Sequence, residues 1–241
     1  SVWRGKHIAL TLERTRWLTT VFLDEKEIGS CHSLVAPHDY ALGILSPGRH
    51  RLTVRIDNRM ILPYRPDGHS VSDAEGYTWN GIVGKIALTA TSPIWIDDAE
   101  VHPNVALKSA LLKVRIGNAT GASGSGTLSA GSVSTPVAWT ADGGSASLEV
   151  PLPNAKPWSE FTPVLQHLTL KLSGHHDADD HRDLTFGLRE IEAVGKEIHL
   201  NGDLFSFRAT HNGGGYLVQG KPPPDVASCR RTIAICKAWG L

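Results

Sequence analysis

The densest collection of metal-capable side chains is the run His175, His176, Asp177, Asp179, Asp180, His181 and Asp183. Imidazole and carboxylate are the ligands of zinc and of harder divalent ions. Such a site needs groups converging from a fixed backbone. This run is hydrophilic, is interrupted by Arg182 and joins two apolar stretches, so it reads as a solvated turn without a metal. Asp97, Asp98 and Glu100 read as solvated charges in the same way. Twelve histidines could offer a general base to a serine, but no G-x-S-x-G elbow occurs. Gly213-Gly214-Gly215 is not followed by the Lys-Ser/Thr of a phosphate loop. Cys31, Cys229 and Cys236 contain no C-x-x-C pair, which argues against zinc on thiolates. They read as buried thiols, with one disulfide left open.

The composition narrows the classes further. The 241 residues carry 24 Lys plus Arg against 24 Asp plus Glu. Zero formal charge removes the electrostatic case for nucleic acid or an anionic membrane surface. No apolar run approaches the length of a membrane helix. No signal peptide is visible at Ser1-Val2-Trp3. Met60 is the only methionine, so the natural start is expected to be missing and the compartment stays unread. Gly and Pro are plentiful, and Val, Ile, Leu and Thr recur in short stretches, which favours many short strands.

The elements that would position any site follow from periodicity. Ile8, Leu10 and Leu12 alternate within 7–13, and 17–24 follows after a break. Leu52, Val54 and Ile56 face one way in 51–57, with Arg51, Thr53, Arg55 and Asp57 on the other side. Segments 82–90 and 93–101 are two further strands. This first unit, 1–102, is expected to be an antiparallel β-sandwich. A second unit, 103–196, continues with strands at 111–116, 127–130, 146–150, 167–172 and 184–193. A small-residue hairpin is expected at 117–126. It has no Cys…Trp…Cys pattern, so any immunoglobulin likeness is architectural.

The third unit, 197–241, changes character. Asn201-Gly202-Asp203 is a hairpin turn, 204–209 reads as a strand, and 213–224 is a loop rich in Gly and Pro. Asp225 is the expected N-cap of a helix whose stripe is Val226, Cys229, Ile233, Cys236 and Gly240. One strand and one helix close no core. The pair reads as the first βα unit of a parallel barrel, which needs about 250 residues.

Several motifs in this order resemble glycoside hydrolase family 2, the group of β-galactosidases, β-glucuronidases and β-mannosidases. Trp3-Arg4-Gly5-Lys6, then Leu10-Thr11-Leu12-Glu13-Arg14, Trp17, Val21-Phe22-Leu23-Asp24 and Ile28-Gly29 resemble its N-terminal galactose-binding-like jelly roll. The stretch from Pro47-Gly48 through Leu52-Thr53-Val54-Arg55-Ile56-Asp57-Asn58 is similar to that domain's "G-x-h-x-L-x-V-x-h-D-N" strand. Trp79-Asn80-Gly81-Ile82 and Gly84-Lys85-Ile86-Ala87-Leu88 resemble its closing strand. Phe186-Gly187-Leu188-Arg189-Glu190-Ile191 and Leu200-Asn201-Gly202 resemble the end of the immunoglobulin-like domain and the entry to the barrel. The expected fold is therefore mainly β: an N-terminally truncated jelly roll, an immunoglobulin-like sandwich and one βα unit of a truncated TIM barrel.

The resemblance implies a retaining glycosidase, with two carboxyl groups about 5–5.5 Å apart as acid/base and nucleophile. In the family both are glutamates on later barrel strands. None of the glutamates here matches them, so the chain alone is expected to be inactive. Six residues could still meet sugar. Glu75, six before Gly81, and nearby Asp73 could accept hydrogen bonds from sugar hydroxyls, or be solvated loop charges. Trp79 could stack on a sugar face or be a core residue, and Asn80 is equally open. Arg208 aligns with a family Arg. Ala209 and Asn212-Gly213 depart from the family's Arg-Gly and Arg-His, which puts the usual β-galactosidase or β-glucuronidase specificity in doubt. His211 could contribute to the sugar subsite or be a polar loop residue. The implied partner is a carbohydrate substrate met through the barrel, with no cofactor, nucleic acid or membrane. The resemblance allows a homo-oligomer of the whole protein and a periplasmic or secreted location. The alternative reading is a stand-alone carbohydrate-binding sandwich.

Overall fold

The computed structural model describes residues 2–59, 80–175, 178–210 and 225–241. Among the described residues, eight strands form the first unit: β1 (His7–Leu12), β2 (Thr15–Arg16), β3 (Leu18–Leu23), β4 (Lys26–His32), β5 (His38–Ile44), β6 (Leu52–Asp57), β7 (Gly81–Ile82) and β8 (Ile86–Thr91). Two antiparallel three-stranded sheets, ordered β5-β1-β8 and β4-β3-β6, enclose a core of Ile8, Leu10, Leu12, Val21, Tyr40 and Leu42. The period of two works as expected in β1, where Ile8, Leu10 and Leu12 point into that core. The pairing of β1 with β5 shifts between Ile8 and Ala9, leaving Leu42 as the extra residue of a bulge. In the turn from β3 to β4, Asp24 and Glu25 take φ of 48° and 71°, which a two-residue hairpin of this hand requires. Asp24 is held there: Oδ1 accepts from the Arg51 N–H at 2.7 Å and Oδ2 faces His50 Nδ1 at 2.6 Å.

The second unit contains β9 (Ile94–Asn104), β10 (Ser109–Asn118), β11 (Gly124–Ala130), β12 (Val133–Thr140), β13 (Gly143–Pro151), β14 (Leu165–Gly174) and β15 (Asp179–Gly187). Their hydrogen-bond order is β15-β14-β11-β12-β13-β10-β9. The sheet rolls over so that its two ends meet in an immunoglobulin-like sandwich. Asp180 Oδ2 accepts from the Ile96 N–H at 2.8 Å, and Arg182 reaches the Asp97 carbonyl. The rolled sheet buries Ile94, Ile96, Leu112, Val114, Ile116, Leu128, Val137, Trp139, Leu148, Val150, Leu170 and Leu172.

Three expectations change here. The strand read at 93–101 within the first unit pairs with β10 and runs through the expected boundary at 102/103, so the second sandwich starts at Ile94. Alternation reveals a strand but not its partner. The segment 133–140, not expected as a strand, is β12. The acidic run is not a turn throughout, because 179–183 lies in β15.

The third unit has β16 (Ile191–Val194), β17 (Glu197–Leu200) and β18 (Asp203–Leu204), joined in that order, and one helix, α1 (Val226–Ala238). Asn201 and Gly202 turn the β17–β18 hairpin at φ of 54° and 88°. Residues 205–210 are not in a strand, contrary to the reading of 204–209; contact with β17 ends at Phe205, whose N–H donates to the Ile198 carbonyl at 2.8 Å. Asp225 caps α1, its carboxylate accepting from the Ser228 N–H at 2.7 Å. At the other end Gly240 has φ of 78°, and the Leu241 and Gly240 N–H groups return to the Cys236 and Lys237 carbonyls. No residue of the helix is buried, so its stripe is formed but unpacked.

Candidate functional site

The chain leaves the first sandwich after β6 at Asn58 and re-enters β7 through Asn80. Trp17 organises this end. It is fully buried, its N–H donates to the Asp57 carbonyl at 3.2 Å, and its Nε1 donates to the Asn58 carbonyl at 2.7 Å. The neighbouring Arg16, itself buried, lies 4.9 Å over the Trp17 ring, while its backbone pairs with Gly81. Asn58 Nδ2 donates to Asn80 Oδ1, tying the outgoing strand to the returning one. Asp57 is fastened by the Arg59 guanidinium, which lowers its carboxyl pKa to about 2.

Under this end lies a buried polar chain. His38 is fully buried, with Nδ1 2.6 Å from Thr19 Oγ1 and 3.1 Å from Thr15 Oγ1. Its Nε2 lies 3.0 Å from the Ser33 carbonyl, and Thr19 Oγ1 lies 2.5 Å from the Tyr40 hydroxyl. Burying these groups would be costly if they were unpaired, and pairing makes them a rigid plug. Burial pushes the Tyr40 hydroxyl pKa up, against the opposing hydrogen bond from Thr19. The result can hold two chain stems in a set geometry but presents no nucleophile with a base.

Of the six expected site residues, Asp73, Glu75, Trp79 and His211 lie outside the described residues. Asn80 is exposed, with its carbonyl oxygen engaged by Asn58. Arg208 is elsewhere, lining a cavity of about 350 Å³ with Glu160, Phe161, Phe205, Ser206 and Lys237. No contact joins Asn80 to Arg208 among the described residues. Arg16, Trp17 and Asn58 were not singled out as site residues from the sequence. Trp17 and Asn58 do fall within the quoted motifs, and that was the available signal. His38 carries none, because its partners Thr15, Thr19 and Ser33 come from three separate segments.

Among the described residues, no group of three or more His, Cys, Asp or Glu side chains is placed to hold a metal ion. In the former metal candidate, Asp180 closes the rolled sheet through Ile96 and Asp183 accepts from Thr169 Oγ1 at 2.7 Å. His176 and Asp177 lie outside the described residues. All three cysteines are free, and none is fully buried, which corrects the reading of buried thiols.

A different feature lies between the two sheets of the first unit, where β8 and β6 are edge strands among the described residues. Ile8, Leu23, Leu42, Leu45, Leu52 and Leu88 line an apolar cleft of about 310 Å³, with Trp3 and Arg4 at its side. Leu88 is on the same face as buried Leu10, yet it is 46% exposed.

No family model and no curated protein matches the chain. Solved structures do. A glycoside hydrolase family 2 β-galacturonidase from Eisenbergiella tayi, bound to galacturonate, is 25% identical over 82% of this chain, with a TM-score of 0.66. A β-glucuronidase from Bacteroides uniformis is similar in fold over 98% of the chain, at 20% identity and a TM-score of 0.73. A family 2 glycosyl hydrolase from Bacteroides cellulosilyticus covers 84% at 18% identity, with a TM-score of 0.64. The chain spans only 36%, 31% and 29% of these structures, about a third of their length. Over most of its length the chain is therefore similar in fold to solved glycoside hydrolase family 2 structures, with 25% sequence identity to the E. tayi enzyme.

Proposed function

We propose that this chain is the non-catalytic N-terminal portion of a retaining glycosidase that removes terminal sugars from oligo- or polysaccharides. The observation that carries this reading is the 25% identity to the E. tayi β-galacturonidase over 82% of the chain. In the whole protein, two barrel carboxyl groups about 5–5.5 Å apart would do the chemistry. This portion would hold sugar-facing groups beside them. Within it, Asp73, Glu75, Trp79 and Asn80 would supply acceptors and a stacking surface from the first unit, with Arg208 and His211 from the third. The Asn58–Asn80 tie supports that role for the first group, because it fixes the point from which the chain leaves and returns. Proximity catalysis gains only from groups held in position.

The domain division proposed is 1–102, 103–196 and 197–241, and the pairing of β9 with β10 supports a first junction just before Ile94. A galacturonide or galactoside is the first substrate to try, since galacturonate is bound in the E. tayi enzyme. The test is a panel of aryl β-glycosides, including uronides. The chain by itself should release no aglycone, and the whole-length protein should release it with retained anomeric configuration. Turnover by the isolated chain, or inversion by the whole protein, would overturn the proposal.

A further inference from the structure

The two sandwiches meet at an aromatic stack that no strand pairing requires. His7, at the start of β1, points away from the core of its own sandwich and is only 5% exposed. Its ring lies on Trp95 of β9, with centroids 4.0 Å apart and planes 8° from parallel. The indole is fixed from its own side. It lies across Gly117, where a Cβ would come within 2.2 Å of the ring, and its Nε1 donates to Asp97. Around the stack, His7 Nδ1 lies 3.3 Å from Thr91 Oγ1. Lys6 donates to Ser92 Oγ, which donates to the Asp179 carbonyl at 2.6 Å. The connector 92–93 is therefore gripped from both sides.

We propose that the His7–Trp95 stack is a pH-sensitive catch between the sandwiches, closed while the imidazole is neutral and loosened when it takes a proton. A neutral imidazole loses less hydration on the indole than an imidazolium does, and at 5% exposure that larger loss of water opposes the attraction of the Trp95 face for a cation. The surrounding charges do not reverse this. Asp97 attracts the cation, but its carboxylate is already bound by Arg115 Nε at 2.6 Å. Asp180 is spent on the Ile96 N–H, and Asp98 faces Arg115 and Arg182 at 3.9 Å. Lys6, the residue just before β1, adds a positive charge. Burial accordingly pushes the His7 pKa below its usual 6.5, and Asp97 only partly restores it.

The sign follows. Opening the stack returns His7 to water, where it titrates near 6.5. Protons therefore favour the open arrangement. The catch is complete above that pH and weakens as the pH falls through 6.5 toward the lower pKa of the stacked ring.

The test is nuclear magnetic resonance on the full chain. The His7 ring protons should be shifted upfield by the Trp95 ring current, titrate with a midpoint below 6.5, and lose the upfield shift as they titrate. Residual dipolar couplings should give one common alignment for both sandwiches above that midpoint and two below it. His7→Phe keeps a flat ring without a titrating group, so its common alignment should persist through acid. The proposal is overturned if His7 titrates at the ordinary value with its shift unchanged. It is equally overturned if His7→Phe separates the two alignments at the same pH as the native chain.

Discussion

Trp17→Phe isolates the anchor of the loop-bearing end. The replacement keeps an aromatic ring in the fully buried site and removes the Nε1–H that meets the Asn58 carbonyl at 2.7 Å. A hydrogen bond of this kind contributes about 0.5–1.5 kcal/mol. The smaller ring leaves a void under Arg16. Full truncation of a core aromatic costs about 3–5 kcal/mol, so removing part of one ring system should cost about 1–2 kcal/mol. Together these give about 1.5–3.5 kcal/mol of lost stability in the first sandwich. With a urea dependence of about 1–3 kcal/mol per molar, the midpoint of that unit should fall by about 1 M. Hydrogen exchange gives the location as well as the size. The Trp17 amide and the β3–β6 ladder should exchange faster, while the β10–β13 ladder should not change. A midpoint shift within error, or equal acceleration in both sandwiches, would refute the anchoring role of Trp17.

Other perturbations test the remaining architecture. Gly117→Ala puts a methyl group into the Trp95 ring and should cost about 1–3 kcal/mol, read as a lower melting temperature by calorimetry. The Asp24–His50 pair should make the β3–β4 turn most resistant between about pH 4 and 6.5. The hydrogen bond to Asp24 raises the His50 pKa, so that contribution is complete below 6.5 and lost as pH rises through the higher folded value. The hydrogen bond to His50 lowers the Asp24 pKa, so its part is complete above 3.8 and lost as pH falls. The melting-temperature difference between the native chain and His50→Gln should therefore shrink at both extremes. Leu88→Lys places a charge on an uncharged, open strand edge and should reduce both dye binding to apolar surface and light scattering, measured side by side with the native chain.

What could be read in advance was local. The alternation of Ile8, Leu10 and Leu12 requires only their own backbone, and all three are buried as expected. The Asp225 cap is likewise written in neighbouring residues, whereas Gly240, expected in the helix's apolar stripe, lies beyond its last residue at φ of 78°. The same alternation in β6 marked a strand correctly, yet Leu52 is 37% exposed, because burial depends on what stands opposite. The alternation in β9 likewise marks a strand without naming its sandwich, because its ten-residue register with β10 is non-local information. Strand β12 was hidden by Pro136, which lacks a ladder donor. Its pairing with β13 involves only Trp139 and Thr140, so Pro136 is clear of that ladder. Asp179, Asp180, His181 and Asp183 looked like turn residues by composition. The first sandwich's Ser92 and the second's Ile96 give that segment backbone and carboxylate partners that composition does not register.

The candidate site divides along the same line. Asn80 could be singled out because it sits in a motif, but its role as one half of a clamp depends on Asn58, 22 positions away. A clamp is useful only if its base is rigid. The base here is the plug of Thr15, Thr19, His38 and Tyr40, four side chains that pair with one another only after β2, β3 and β5 have been brought together. The first sandwich could then deliver sugar-facing groups to a separate catalytic unit only if it were also fixed to its neighbour. The His7–Trp95 stack and the Lys6–Ser92–Asp179 relay make that second attachment. Loosening the stack should therefore leave the Asn58–Asn80 clamp intact while changing where it points. That separates a positioning defect from an unfolding defect: His7→Ala should keep the Trp17 amide as protected as in the native chain, and Trp17→Phe should not.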